Sequence, residues 1–166
     1  MKRRYDADLV RRAITQLRDR VPDLVISADV MVGFPTETEE QFEATWALIE
    51  ELEIAFPHVF SYSERDGTPA ARIPSHKQVP VAERKARNQL IRTRAKRLQH
   101  RVMQSRVGRN VWVLPENSEP YEGLRLARAE DYLAVLIPAQ QTVQGQWLKV
   151  RLSGIRDDFL IGQLTP

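Results

Sequence analysis

The sequence predicts an α/β segment followed by a small all-β barrel, and three observations predict it. Residues Leu24 to Val32 are almost all apolar and rich in β-branched types, as expected of a parallel strand covered on both faces, and they lead into a Gly33-Phe34-Pro35 turn and a helix start. Helix and strand patterns then alternate as far as about residue 106. Beyond Gly108 the pattern shortens to five β segments divided by turn residues, the signature of a small antiparallel barrel of the oligonucleotide-binding type.

Asp6 is placed to cap a first helix, whose apolar positions Leu9, Val10, Ala13, Ile14 and Leu17 recur at helical spacing and which ends before Pro22. The first strand covers Val25 to Val32. Gly33 allows a backbone shape that a Cβ would obstruct, and Pro35 fixes φ. Thr36 or Thr38 can cap the next helix, with Glu39 or Gln41 as the reciprocal partner. That helix, from about Thr38 to Glu53, gathers Phe42, Trp46, Ile49 and Leu52 on one face as core. A second strand, Pro57 to Tyr62, opens into a loop from Ser63 to Lys77 that is rich in Gly, Pro and small residues.

Pro80 starts a long helix to about Arg106, with a narrow apolar stripe of Ala86, Leu90, Ile91, Ala95, Leu98 and Val102. The short strands follow at Val111–Leu114, Gly123–Ala127, Leu133–Ile137, Trp147–Leu152 and Phe159–Leu164. The expected division is therefore 1–106 and 107–166. Trp112, Tyr132 and Trp147 could stack on bases, although aromatics on alternate positions of small barrels are more often core.

Charge is unevenly spread. The net charge is +3, yet Glu83 to Arg109 holds ten Lys or Arg against one acidic residue, leaving the rest of the chain at about −6. Such a segment is either a solvated surface helix or a site for an anionic partner such as nucleic acid. Candidate phosphate contacts are Arg84, Lys85, Arg87 and Arg92, and further along the helix Arg94, Lys96, Arg97 and Arg101.

There are no cysteines, so these residues form no disulfide, thiolate metal site or cysteine-ligated iron–sulfur cluster. His58, His76 and His100 lack ligand spacing, so no metal site is expected. No apolar run reaches the length of a membrane span, and the basic N-terminus lacks the apolar core of a signal peptide. A soluble, cytoplasmic protein without membrane contact is the expectation.

Two loops would emerge at one end of the sheet, where α/β barrels place their chemistry. Asp29 is the lone carboxylate in the apolar strand, which needs either a structural partner or a ligand. The second loop contributes Arg65, a planar donor fork, and Gly67, which lets backbone approach a ligand.

In these loops the chain resembles the radical-SAM methylthiotransferases, most closely the tRNA branch acting on threonylcarbamoyladenosine. MKRRY is similar to the family's Met-Lys/Asn-Arg-x-Tyr segment, ADVMVGFPTETEEQF to its Asp-x-Ile-Val-Gly-Phe-Pro-Gly-Glu-Thr-x-x-x-Phe segment, and HVFSYSERDGTPAARIP to its Tyr-Ser-x-Arg-x-Gly-Thr-Pro-Ala-Ala loop. The ending resembles an RNA-binding TRAM domain through Gly108, Val111, Tyr121, Gly123, Tyr132 and Val135. The fold implied is the C-terminal part of a radical-SAM (β/α) partial barrel followed by a TRAM-like β barrel.

The chain departs from the family pattern at Thr36, where Gly is common, and in lacking the Cys-x-x-x-Cys-x-x-Cys motif, the first barrel strands and the N-terminal cysteine-bearing domain. It therefore resembles the C-terminal portion of such an enzyme. The resemblance implies S-adenosylmethionine and a 4Fe-4S cluster in the intact family, with the cluster ligands absent here. It further implies cofactor-side positions at Asp29, Gly33, Phe34 and Glu37, and at Ser63, Arg65, Gly67 and Thr68, none of them the radical-generating group.

The expected partners are tRNA and the missing N-terminal half, and the chain alone is expected to be inactive. It should also self-associate through an exposed barrel edge. The competing readings are a tRNA-binding module without catalysis, or a fragment of the branch that modifies isopentenyladenosine in tRNA or a ribosomal protein.

Overall fold

The computed structural model describes residues 3–142 and 145–165. Contacts divide the chain into two units, Met1–Gln99 and His100–Pro166. This division falls inside the long helix, several residues before the end expected from sequence. The reason is local: Met103 and Arg106 are buried, and Arg106 faces Asp131 at 3.4 Å within the second unit.

The first unit contains α1 (Ala7–Arg20), β1 (Ile26–Val32), α2 (Glu39–Glu51), β2 (Ile54–Ser61) and most of α3 (Val81–Arg106). Asp6 caps α1 by accepting from the Leu9 amide at 2.9 Å. Of the expected apolar stripe of α1, Ile14 is buried and Val10 half-buried, whereas Leu9 and Leu17 are exposed. Strands β1 and β2 pair in parallel, with Asp29 opposite His58 and Val30 opposite Val59. Strand β2 begins three residues earlier than expected and contains Pro57, whose missing amide a sheet with open edges tolerates.

Strand β1 corrects the sequence reading. It is not covered on both faces: Ser27, Asp29 and Met31 are exposed, while Ala28, Val30 and Val32 face the core. That core joins Ile14 of α1, Phe42 and Ile49 of α2, and Ile91 and Leu98 of α3 to Val32 and Ile54. All three helices therefore lie on one side of a two-stranded sheet. The opposite side carries Met31 at 38% and Phe60 at 53% exposure, large apolar groups in water at a substantial cost.

The second unit is a closed barrel in the order β3-β4-β5-β7-β6, built from β3 (Asn110–Pro115), β4 (Leu124–Ala129), β5 (Ala134–Pro138), β6 (Leu148–Arg156) and β7 (Phe159–Leu164). It is mixed and not purely antiparallel, because β5 and β7 run parallel. Closure removes the open edges that a five-stranded sheet would otherwise present. Its interior is filled by Val113, Ala127, Val135, Ile137, Val150, Leu152 and Leu160. A Cβ on Gly162 would lie 2.9–3.1 Å from Val135, Ile137 and Val150, so only glycine fits that wall. Trp112, Tyr132 and Trp147 are all exposed, which corrects the expectation that such aromatics are core.

No helix among the described residues is long and apolar enough to cross a membrane.

Candidate functional site

The turn after β1 is built as the sequence suggests. Gly33 has φ +71° and is buried, with the Arg84 Cγ only 2.4 Å from where a Cβ would stand. Thr38, not Thr36, caps α2: its Oγ1 accepts from the Gln41 amide at 3.3 Å, and its own amide donates to the Gln41 side chain at 3.2 Å. Thr36 instead adopts φ +71°, a left-handed conformation unfavourable for a β-branched residue and natural for glycine.

Glu37 acts within the protein. One carboxylate oxygen accepts from the Gly33 amide at 2.7 Å and from Arg87 Nη1 at 2.6 Å. Arg87 also meets Glu39 and Glu83, and its guanidinium lies 5.2 Å from the Phe42 ring centroid. Burial works against the Arg87 charge, but the Glu37 hydrogen bond and the fields of Glu83, Glu37 and Glu39 prevail and hold its pKa above the ordinary value. The expectation that Arg87 contacts RNA is corrected, because it is 5% exposed and committed to these carboxylates.

Arg84 is likewise spent on the fold. It donates to the backbone oxygens of Val79 and Tyr62 and to the Gln78 side chain, and its guanidinium lies over the Tyr62 ring at 5.0 Å. Arg94 donates twice to Glu43, at 2.8 and 3.1 Å, and covers Trp46. These three arginines fasten α3 to its surroundings.

The remaining cations of the predicted set, Lys85, Arg92, Lys96, Arg97 and Arg101, are exposed. On a helix of 3.6 residues per turn they lie within the solvent-facing half of α3, and no acidic residue occurs between 84 and 109. That half of the helix presents a row of exposed cations suited to a polyanion.

The two loops leave neighbouring strand ends, where the Tyr62 amide donates to the Val32 carbonyl at 2.8 Å, but Asp29 and Arg65 are not in contact through a polar bond. Asp29 lies on the open face of the sheet, and Ser63, Arg65 and Gly67 are in an exposed loop. Thr68 braces its own loop: its Oγ1 donates to the Arg65 carbonyl at 2.8 Å and accepts from the Ala71 amide at 3.2 Å.

Phe34 meets Tyr62 edge-on at 5.4 Å. The Tyr62 hydroxyl is buried without a hydrogen-bond partner; Tyr62 opens the loop motif, but the site residues expected from sequence left it out, because burial of its hydroxyl is not visible in residue type. Among the described residues no group of three or more His, Cys, Asp or Glu could hold a metal ion.

Together these features define a βα element carrying a basic helix and a closed five-stranded barrel that fits a TRAM-like domain. No protein-family model matches the chain. It is nonetheless 37% identical over 160 residues to the threonylcarbamoyladenosine tRNA methylthiotransferase MtaB of Rickettsia prowazekii, covering 96% of this chain and 36% of that protein. It is also similar to two tRNA-2-methylthio-N(6)-dimethylallyladenosine synthases. That of Roseobacter denitrificans is 39% identical over 152 residues, covering 92% of this chain and 34% of the relative. That of a Jannaschia species is 35% identical over 165 residues, covering 99% and 35%.

The chain is a homologue of the tRNA methylthiotransferases, consistent with a C-terminal portion of one. It spans about a third of the length of these relatives.

Proposed function

We propose that this chain is the C-terminal part of a tRNA methylthiotransferase acting on threonylcarbamoyladenosine, and that it contributes RNA binding and one wall of the reaction site. The observation that carries this reading is a match along nearly the whole chain to relatives named for tRNA modification, combined with the exposed cations of a stretch, 84–109, that has no acidic residue. The Tyr62-Ser63-Glu64-Arg65-Asp66-Gly67-Thr68-Pro69-Ala70-Ala71 loop and the Rickettsia relative favour the threonylcarbamoyladenosine branch. The identities to the dimethylallyladenosine synthases make that branch the second reading.

In such an enzyme the iron–sulfur cluster and S-adenosylmethionine supply radical chemistry. The residues here do not fit the cluster, since the chain has no thiolate to offer. For the adenosyl group the fit is partial. The unpartnered Tyr62 hydroxyl beside Phe34 is an unsatisfied buried polar atom at an apolar wall, which a nucleoside would complete. Glu37 and the Gly33 amide already satisfy one another and serve to hold that wall in shape. Asp29 and Arg65 would become positioning groups only with further strands beside β1. The open, partly apolar sheet face is where the remainder of the protein would pack.

The test is binding of anticodon stem-loops that carry threonylcarbamoyladenosine, dimethylallyladenosine or plain adenosine. Preference for the first supports the reading, preference for the second moves the chain to the other branch, and no binding to any of them overturns the RNA role.

A further inference from the structure

The outer surface of the β barrel has sides of opposite chemistry. Barrels of the oligonucleotide-binding type usually take nucleic acid on their second and third strands and on the loops joining the first strand to the second and the fourth to the fifth. Here those are β4, β5, the 116–123 segment and the 157–158 turn. The outward side chains of β4 and β5 are largely aliphatic, with Leu126 opposite Leu136 and Leu124 opposite Pro138, and the exposed Arg128 on the same face of β4 is paired with Glu116 at 2.6 Å. The two loops carry Glu116, Glu119, Glu122, Asp157 and Asp158. A phosphate backbone would meet like charge there, and the ring in the first loop, Tyr121, stands among those carboxylates.

Strands β3 and β6 offer the reverse. Trp112, 45% exposed, stands directly opposite Lys149, and Asn110 stands opposite Arg151, with both cations exposed. Trp147, 53% exposed, immediately precedes β6 and is two residues from Lys149. Continued strand alternation puts it on the same face as Trp112, on the diagonal. No Asp or Glu occurs from residue 100 to 115 or from 132 to 156. Two exposed indoles beside two cations, with every carboxylate of the unit elsewhere, combine a stacking platform with an anion-attracting surround.

We propose that the outer face of β3 and β6 binds an unpaired RNA segment, with Trp112 and Trp147 stacking on bases and Lys149 and Arg151 contacting the intervening phosphates. This rests on the RNA-binding reading above and deepens it. It specifies single-stranded nucleotides held by stacking, on a side of the barrel other than the one this architecture usually employs.

The experiment uses the full chain and a labelled single-stranded oligouridine, followed by fluorescence anisotropy across a salt series. Each of Trp112→Leu and Trp147→Leu should weaken binding about 5- to 150-fold, the range for losing one stacked base. Trp112→Phe, which keeps a ring, should recover part of that loss. Lys149→Gln should reduce the salt slope by about 0.7. Tyr121→Leu, an equally exposed aromatic in the acidic loop, should change nothing.

Absence of oligouridine binding overturns the proposal, as does equal loss in the Tyr121 variant or unchanged affinity in the double tryptophan variant. If the tryptophan variants alter only self-association in sedimentation, the face is a protein interface and the proposal fails. If oligouridine ignores both tryptophans while tRNA binding still falls with Arg92→Gln, this site is wrong and the tRNA reading survives.

Discussion

Arg87 donates to Glu37 at 2.6 Å with both side chains almost out of water, 6% and 11% exposed. The same carboxylate oxygen holds the Gly33 amide, so one pair ties α3 to the turn that follows β1. Phe34, which meets Tyr62 edge-on, directly follows Gly33 in that turn. Removing either partner leaves the other without its counter-charge in a poorly hydrated place.

Arg87→Met should therefore lower stability by about 3–5 kcal/mol, the usual result of stranding a buried charge. Glu37→Gln keeps an acceptor for the Gly33 amide and should cost less, about 1–3 kcal/mol. Urea denaturation of both variants checks the order. A loss under about 1 kcal/mol for Arg87→Met would mean that Glu37 finds water easily and the pair is incidental.

Thr36 at φ +71° predicts a stabilising change. A left-handed β-branched residue costs about 1–3 kcal/mol, and the greater unfolded-state entropy of glycine returns part of it. Thr36→Gly should raise stability by about 0.5–1 kcal/mol, read as a higher denaturation midpoint at unchanged slope. Thr38 provides the cap, so that contribution stays intact.

Gly33→Ala should do the opposite. The added methyl would stand 2.4 Å from the Arg84 Cγ on a backbone at φ +71°. Overpacking and left-handed strain together should cost about 2–4 kcal/mol in thermal or urea unfolding. Near-wild-type stability would show that Arg84 can leave Gly33 without losing its bonds to Val79, Tyr62 and Gln78.

The charge on α3 divides into structural and available cations, and salt dependence separates them. Gln at Lys85, Arg92 or Arg97 should weaken tRNA binding and flatten the log–log salt plot by about 0.7–0.9 per phosphate lost. Arg94→Gln should act mainly on stability, through Glu43 and Trp46. Equal salt slopes for all variants would remove the helix from the RNA interface.

The uncovered sheet face makes a prediction about solution behaviour. Met31 and Phe60 are registered neighbours on it, both largely apolar and both exposed. The chain made alone should self-associate in sedimentation, and Phe60→Lys should shift it toward monomer. A monomeric parent chain would show that this face is tolerated in water.

Much of the framework is legible in the sequence, because caps and turns are short-range chemistry. Asp6 and Thr38 cap their helices through neighbours three residues away, and Gly33 sits where the chain must turn. The five short strands after Gly108 were legible too, since their period and turn residues are local. The division of α3 was not. Whether an arginine on that helix faces water or a carboxylate depends on Glu37, Glu39 and Glu43, which are 48 to 51 residues distant.

The sequence by itself determined the elements, their order, the lack of thiolate ligands and the methylthiotransferase resemblance, all properties of residue type and close spacing. Only the tertiary structure decided that β1 is covered on one side, that Arg84, Arg87 and Arg94 belong to the fold, and that Trp112 and Trp147 stand outside the barrel. Each of those outcomes follows from what lies across from a side chain in space, and burial and counter-charge are set by that neighbour whatever the residue's own type.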